Sequence, residues 1–189
     1  MTDGTTRDQI VQAADRLFYT QGYENTSFAD IAEAVRISRG NFYYHFKSKH
    51  RILDAVIDER LADTRDMIAA WEAASPDPAD RIRAYIDIVI TNRADIERFG
   101  CPVGTLTTEL AKLNHAAQQE ANAIFTLFRD WLRDQFAALG HGADADAHAM
   151  HVLAFSQGVA TLSNAFRDRD FVGREVQRMH DWLDALKTA

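Results

Sequence analysis

At 189 residues, with 47% apolar and 26% charged side chains, the chain can bury a sizeable core and is too apolar to be disordered. One cysteine excludes an internal disulfide framework, and no run of about 18 apolar residues is present to cross a membrane. The net charge of −7 argues against a nucleic-acid partner only as a sum: residues 1–50 carry six basic and six acidic side chains, while 36–51 hold five basic residues, two histidines and no acid.

The first helix is predicted over 6–21, where Ile10, Val11, Ala14, Leu17 and Phe18 recur at helical spacing and Gly22 supplies a stop. A second starts at Ser27, a good N-cap, with Asp30 placed to return the bond; Phe28, Ile31, Ala32 and Val35 form its apolar stripe. Val35 and Ile37, followed by Ser38, mark a break and a restart. The third helix then packs Arg39, Gly40, Asn41, Tyr43, Tyr44 and His45 into about two turns, with Phe42 and Phe46 as core anchors. This pattern predicts a helix-turn-helix whose second helix enters the DNA major groove. Arg39, Gly40, Asn41 and Tyr44 are assigned to base edges or close groove contact, and Ser27, Tyr43, His45 and Lys49 to phosphates. Adjacent tyrosines facing water would be poor design for an idle surface.

A fourth helix is expected over 48–74, with Ile52, Leu53, Val56, Ile57, Leu61, Met67, Ile68 and Trp71 on its buried side. The Ser-Pro-Asp-Pro stretch at 75–78 ends it, and one continuous fifth helix is expected over 78–98, with Ile82, Tyr85, Ile86, Val89 and Ile90 inward. Residues 99–104 interrupt the pattern; Pro102 suits the first turn of a short sixth helix, which puts Cys101 at its N-cap. Asn114 is expected to cap a long seventh helix to about residue 139, carrying Ala117, Ala121, Ile124, Phe125, Phe128, Trp131, Leu132 and Phe136. The eighth and ninth helices are expected over 145–167 and 172–187. The fold class is therefore all-α, with about nine helices: a helix-turn-helix head over 1–48 and a helical body over 49–189. After Gly142 the apolar surface exceeds what one subunit needs, so Phe155, Val159, Leu162, Phe166, Trp182 and Leu186 are assigned to a dimer interface.

No phosphate-binding glycine loop, zinc-type cysteine pairing or Gly-x-Ser-x-Gly elbow is present, so neither an enzyme nor a cofactor is expected. A helical enzyme of unknown substrate is the competing class. His141, Asp144, Asp146, His148 and His151 cluster in sequence, but their loose spacing fits a polar loop and a helix start better than a metal site. Cys101 is expected to line a pocket as a small hydrophobe; the alternative is a thiolate held by helix N–H groups and open to electrophiles or oxidants.

The segments Gln9–Phe18, Gly22–Ser27, Asp30–Ala32 and Gly40–Lys49 resemble the TetR family of bacterial transcriptional regulators. The resemblance is dense over roughly the first 60 residues; beyond them it is mainly one of length and helical pattern. It implies a cytoplasmic homodimer, acting as a repressor, that binds double-stranded palindromic operator DNA and pairs its last two helices with those of its twin. It also implies a small-molecule effector cavity in the body, beside the helix leaving the head. The nearest equivalents here are Trp71, Ile86, Ile90, Phe99, Cys101, Leu106, Phe125, Phe128 and Phe155, which predict a hydrophobic or aromatic effector, with Glu109 and Asn92 to orient it. The polar N-terminus shows no apolar segment of a secretory signal, and the expected location is the cytoplasm.

Overall fold

A computed structural model describes residues 5–168 and 170–187. Among these residues the nine expected helices are present, the fifth in three pieces, and no strand occurs.

Local capping explains the first three. Helix α1, Thr6–Gln21, opens on a capping box in which Thr5 accepts from the Asp8 N–H and the Asp8 carboxylate accepts from the Thr5 N–H. It stops at Gly22, whose φ of 92° is open to glycine and strained for other residues. Ser27 and Asp30 form the same reciprocal box at α2, Phe28–Ala34, and the Ser38 hydroxyl accepts from the Asn41 N–H at α3, Arg39–His45. Between them Arg36 adopts a left-handed conformation, φ 56°. The Arg36 N–H bonds the Glu33 carbonyl and the Ile37 N–H bonds that of Ala32, at 3.0 and 3.3 Å. These are the two bonds of a Schellman stop, and they set the turn of the helix-turn-helix.

Helix α4 spans Lys49–Ala74. The expected fifth helix is α5, Pro78–Ile86; α6, Ile88–Thr91; and α7, Arg93–Phe99. It breaks at Asp87 and Asn92, around a β-branched run, Ile88 to Thr91, that crowds the preceding turn. The Thr91 hydroxyl also bonds the Asp87 carbonyl at 3.3 Å, a back-bond that bends helices. The bends leave Ile90, expected inward, 46% exposed. Helix α8, Pro102–Lys112, ends in a second Schellman stop, with Asn114 left-handed at φ 49°. Asn114 therefore closes α8 and does not cap the next helix; α9 begins four residues later, Gln118–Ala138, after the His115 ring accepts from the Ala117 N–H. Helices α10, Ala145–Phe166, and α11, Phe171–Lys187, complete the chain.

Contacts divide the chain into two compact units. The first runs to Thr64 and takes in Thr105–Ala123; the second is Arg65–Gly104 with Ile124 onward. The first unit's core joins Ile10, Ile31, Phe42, Phe46, Ile52 and Leu53 to Leu106, Leu110, Ala117 and Ala121. The helix-turn-helix is thus closed by the first half of α4 and by residues more than fifty positions further on. Leu106, expected to line a body cavity, is 4% exposed in this core instead.

In the second unit an aromatic group forms around Tyr85. Its ring lies 6.3 Å from Trp71 and 5.0 Å from Phe128, and Trp71 lies 5.5 Å from Trp131. The Ser156 hydroxyl donates to the Leu153 carbonyl at 2.8 Å, so the Tyr85 hydroxyl, 3.2 Å away, donates to Ser156. Burial pushes the Tyr85 phenol well above its ordinary value. Gln157 Nε2 lies 3.4 Å from both Ser156 Oγ and Cys101 Sγ, and Cys101 Sγ also accepts from the Gly104 N–H at 3.4 Å, as an N-cap would. A Cβ on Gly104 would meet Gln157 Oε1 at 2.4 Å, so glycine permits this approach of α8 to α10.

Helix α10 packs on α6, α7 and α11. It buries Val159, which is 4% exposed and belongs to the chain's own core, where the sequence reading had it in a dimer interface. Leu162 and Phe166 are open at 42% and 76%. Trp182 is half-buried against Phe136, His148 and His151, with ring centroids 4.7–6.0 Å apart. Desolvation and the neighbouring His141 hold the His148 imidazole below its ordinary value. No group of three His, Cys, Asp or Glu residues among those described has the arrangement to hold a metal ion. No described helix is long and apolar enough to cross a membrane.

Candidate nucleic-acid interface

Helix α3 sorts its side chains by period. Phe42 and the following Phe46 are buried, whereas Arg39, Gly40, Asn41, Tyr43 and Tyr44 are exposed and His45 is half-buried. Tyr44 is 77% exposed, with its ring edge-on to His45. Tyr43 stacks on Phe28 of α2 at 5.6 Å and 18°, and Phe28 meets Phe42 edge-on at 5.1 Å. The stack fixes α3 against α2 while leaving the Tyr43 hydroxyl outward. Phe28, Ala29, Ala32, Arg39, Phe42 and Tyr43 line a shallow groove of about 210 Å³ between the two helices. Ser27, also exposed, has its backbone N–H on Asp30 at 2.7 Å; that bond, then the Ser27 hydroxyl, holds the Asp30 carboxyl below the usual range. The Arg7 guanidinium lies over the Phe46 ring at 5.2 Å.

Lys49, assigned to phosphate, has a different set of partners. Its ammonium donates to the carbonyls of Tyr23, Thr26 and Glu24 at 2.9, 3.1 and 3.3 Å. Three carbonyls match its three donors, so none is left for a phosphate. Glu109, expected near the effector, receives the Tyr23 and Glu24 N–H groups at 2.9 and 2.8 Å in the first unit. Neither role carries a local signal: both join residues 23 to 86 positions apart.

A small domain with two capped helices, a Schellman turn between them and an exposed polar-aromatic row on the second can lay that row in a major groove. The comparisons agree. Residues 10–56 match the model of bacterial regulatory proteins of the tetR family, and residues 78–174 match that of the LmrA/YxaF-like transcriptional regulator C-terminal domain. The chain belongs to the TetR family of transcriptional regulators. It is 30% identical over 135 residues to the HTH-type transcriptional regulator LmrA of Bacillus subtilis, covering 69% of each chain. It is 27% identical over 128 residues to the HTH-type transcriptional repressor DhaR of a Mycobacterium species, covering 67% of this chain and 62% of that one. The fold recurs in a TetR transcriptional regulator from Legionella pneumophila, with a TM-score of 0.84 over 98% of this chain and 99% of that one, at 23% identity. As a TetR-family member the chain is a DNA-binding regulator of transcription, and its relatives are regulators, not enzymes.

The body residues assigned to an effector are dispersed. Trp71 and Phe128 share Tyr85 as a neighbour, Ile86 is fully buried, and Phe99, Cys101, Phe125 and Phe155 are half-buried, while Ile90 and Leu106 lie elsewhere as described. Tyr85, Ser156 and Gln157, the polar members of this region, were missed because inward spacing marks a residue as core and says nothing of its hydrogen bonds.

Proposed function

We propose that this TetR-family protein is a cytoplasmic repressor that binds a palindromic operator as a homodimer and leaves it when a small hydrophobic effector enters the body. The observation that carries the DNA part is the exposed row of α3 beside a stacked, immobilised Tyr43. Arg39 and Asn41 read base edges, Gly40 and Tyr44 approach the groove, and Ser27, Tyr43 and His45 engage phosphates. Lys49 is withdrawn from this list and given to the turn it holds. The Mycobacterium relative, named a repressor, supports the sign of regulation.

Pairing uses the exposed side of α10, where Met150, Ala154, Gly158, Leu162 and Phe166 lie in a row of small and apolar residues. An apolar effector suits the aromatic group of Trp71, Tyr85, Phe128 and Trp131, with Tyr85, Ser156 and Gln157 as the polar groups that orient it. Helix α4 contributes residues to both units and carries the bias between the two states. A hundredfold preference of the effector for the released state supplies about 2.7 kcal/mol per site.

Selection of duplexes from random DNA by the purified chain tests the reading. Arg39→Ala should cost about 1–3 kcal/mol on the enriched palindrome and relax preference at one base pair per half-site. Unchanged preference would remove α3 from the groove. For the trigger, Cys101→Ser should leave the response to a neutral apolar effector intact; a response lost with Cys101→Ser would point to electrophilic modification instead.

A further inference from the structure

The turn between α1 and α2 is held from two sides by opposite charges. From α8, the Glu109 carboxylate takes the N–H groups of Tyr23 and Glu24, one on each oxygen. From α4, the Lys49 ammonium takes the carbonyls of Tyr23, Glu24 and Thr26. Both are charge-assisted bonds, the stronger kind. Gly22 makes room for this: a Cβ there would come within 3.1 Å of Glu109 Oε1. The turn has little apolar anchorage of its own, since Tyr23 and Thr26 are buried while Glu24, Asn25 and Ser27 are exposed. The seat of α2 on α1 is therefore set by the clamp, whereas the core below is set by Phe42, Phe46, Ile31 and Ile10.

Resting on the operator reading above, we propose that Glu109 is a positioning residue for operator binding. It never meets DNA. It fixes the turn that delivers Ser27 and α2, and so the stacked Phe28–Tyr43 pair, to the phosphate backbone. Phosphate contacts set register, and a shift of about an ångström at the turn separates Ser27 and Tyr43 from their phosphates without unfolding the unit. An acidic side chain in a DNA-binding head is otherwise a burden, because it opposes the field that attracts the duplex.

The test uses the full chain and the palindrome it enriches from random DNA. Glu109→Gln keeps the shape but turns an N–H donor toward one of the two turn amides. We expect about tenfold weaker operator binding and a salt slope shallower by about one per subunit. A purely structural residue would lower the melting temperature and leave the slope of the folded protein alone. Equal affinity and slope in the two proteins overturn the clamp and leave the operator reading standing. Failure of the unmodified chain to enrich any duplex overturns both. Should Glu109→Gln not fold, amide exchange in the unmodified chain decides. Coupling is reciprocal, so operator should slow exchange at Tyr23 and Glu24 about tenfold, and unaltered exchange overturns the proposal.

Discussion

Lys49 and Tyr23 are joined twice: the ammonium donates to the Tyr23 carbonyl at 2.9 Å and lies 4.3 Å from the centroid of its ring. The ring supplies an aromatic face for the charge, and the carbonyls supply the directed bonds. Lys49→Met should therefore destabilise the protein by about 2 kcal/mol, seen as a melting temperature lower by roughly 4–8 °C. Lys49→Arg should not restore it, because a planar guanidinium cannot aim three donors at three converging carbonyls. Full rescue by arginine would return this residue to the phosphate-binding list.

Tyr43 combines an outward hydroxyl with a stacked ring, so its two halves separate by mutation. Tyr43→Phe should weaken binding to all duplexes alike, by tenfold or less, with no change in melting temperature. Tyr43→Ala should lower both, since it also unstacks Phe28. Binding titrations alongside thermal melts distinguish them, and a sequence-dependent loss in Tyr43→Phe would place this hydroxyl on a base.

Val159 and Leu162 lie almost one helical turn apart on α10 and should behave oppositely. Val159→Asp puts a charge into the core and should cost several kcal/mol of stability, enough to unfold much of the chain. Leu162→Glu changes an exposed position, and should leave a folded monomer whose dimer dissociation constant is at least tenfold higher. Sedimentation at micromolar concentration reads both. A Leu162→Glu protein that sediments like the unmodified one would move the interface off this face.

The Tyr85 phenol gives a pH signature. Its folded-state value is raised, with burial the main cause, so the stability it protects is intact below the ordinary phenol value of about 10. Above that, the unfolded chain releases the proton first, and stability falls with a limiting slope of about 1.4 kcal/mol per pH unit. Urea unfolding of Tyr85→Phe between pH 9 and 11 should lack this part of the slope. Ser156→Ala should cost about 1–3 kcal/mol at neutral pH, because it strands a buried hydroxyl.

Caps and stops could be read directly, since Ser27, Ser38, Gly22 and Pro102 act within three or four residues of themselves. The burial of Phe42 and Phe46 and the exposure between them follow from the helical period alone. Asp87 and Asn92 hid their bends because the run from Ile88 to Thr91 looks like one apolar face whether or not the axis is straight. Leu106 and Val159 were read as apolar and inward, but a stripe does not say which core it enters. Lys49 and Glu109 were misplaced for a related reason: their partners are backbone groups of a distant turn, and no sequence spacing records that. The body's aromatics suggested an effector's chemistry, while the arrangement around Tyr85 depends on three helices meeting.

The core of the first unit needs Leu110 and Ala121 as much as Ile10. Synthesis is sequential, and chains grow at about 5–20 residues per second. Residue 121 leaves the ribosome roughly 4–14 s after residue 49, at those rates. During that interval the finished recognition helix sits on an open apolar face, with the amides of its supporting turn still unmatched. A polypeptide cut short before α8 is released in the same state. The cell thus gains no DNA-reading fragment from an incomplete message: the head closes only when enough of the body has been made to answer for it.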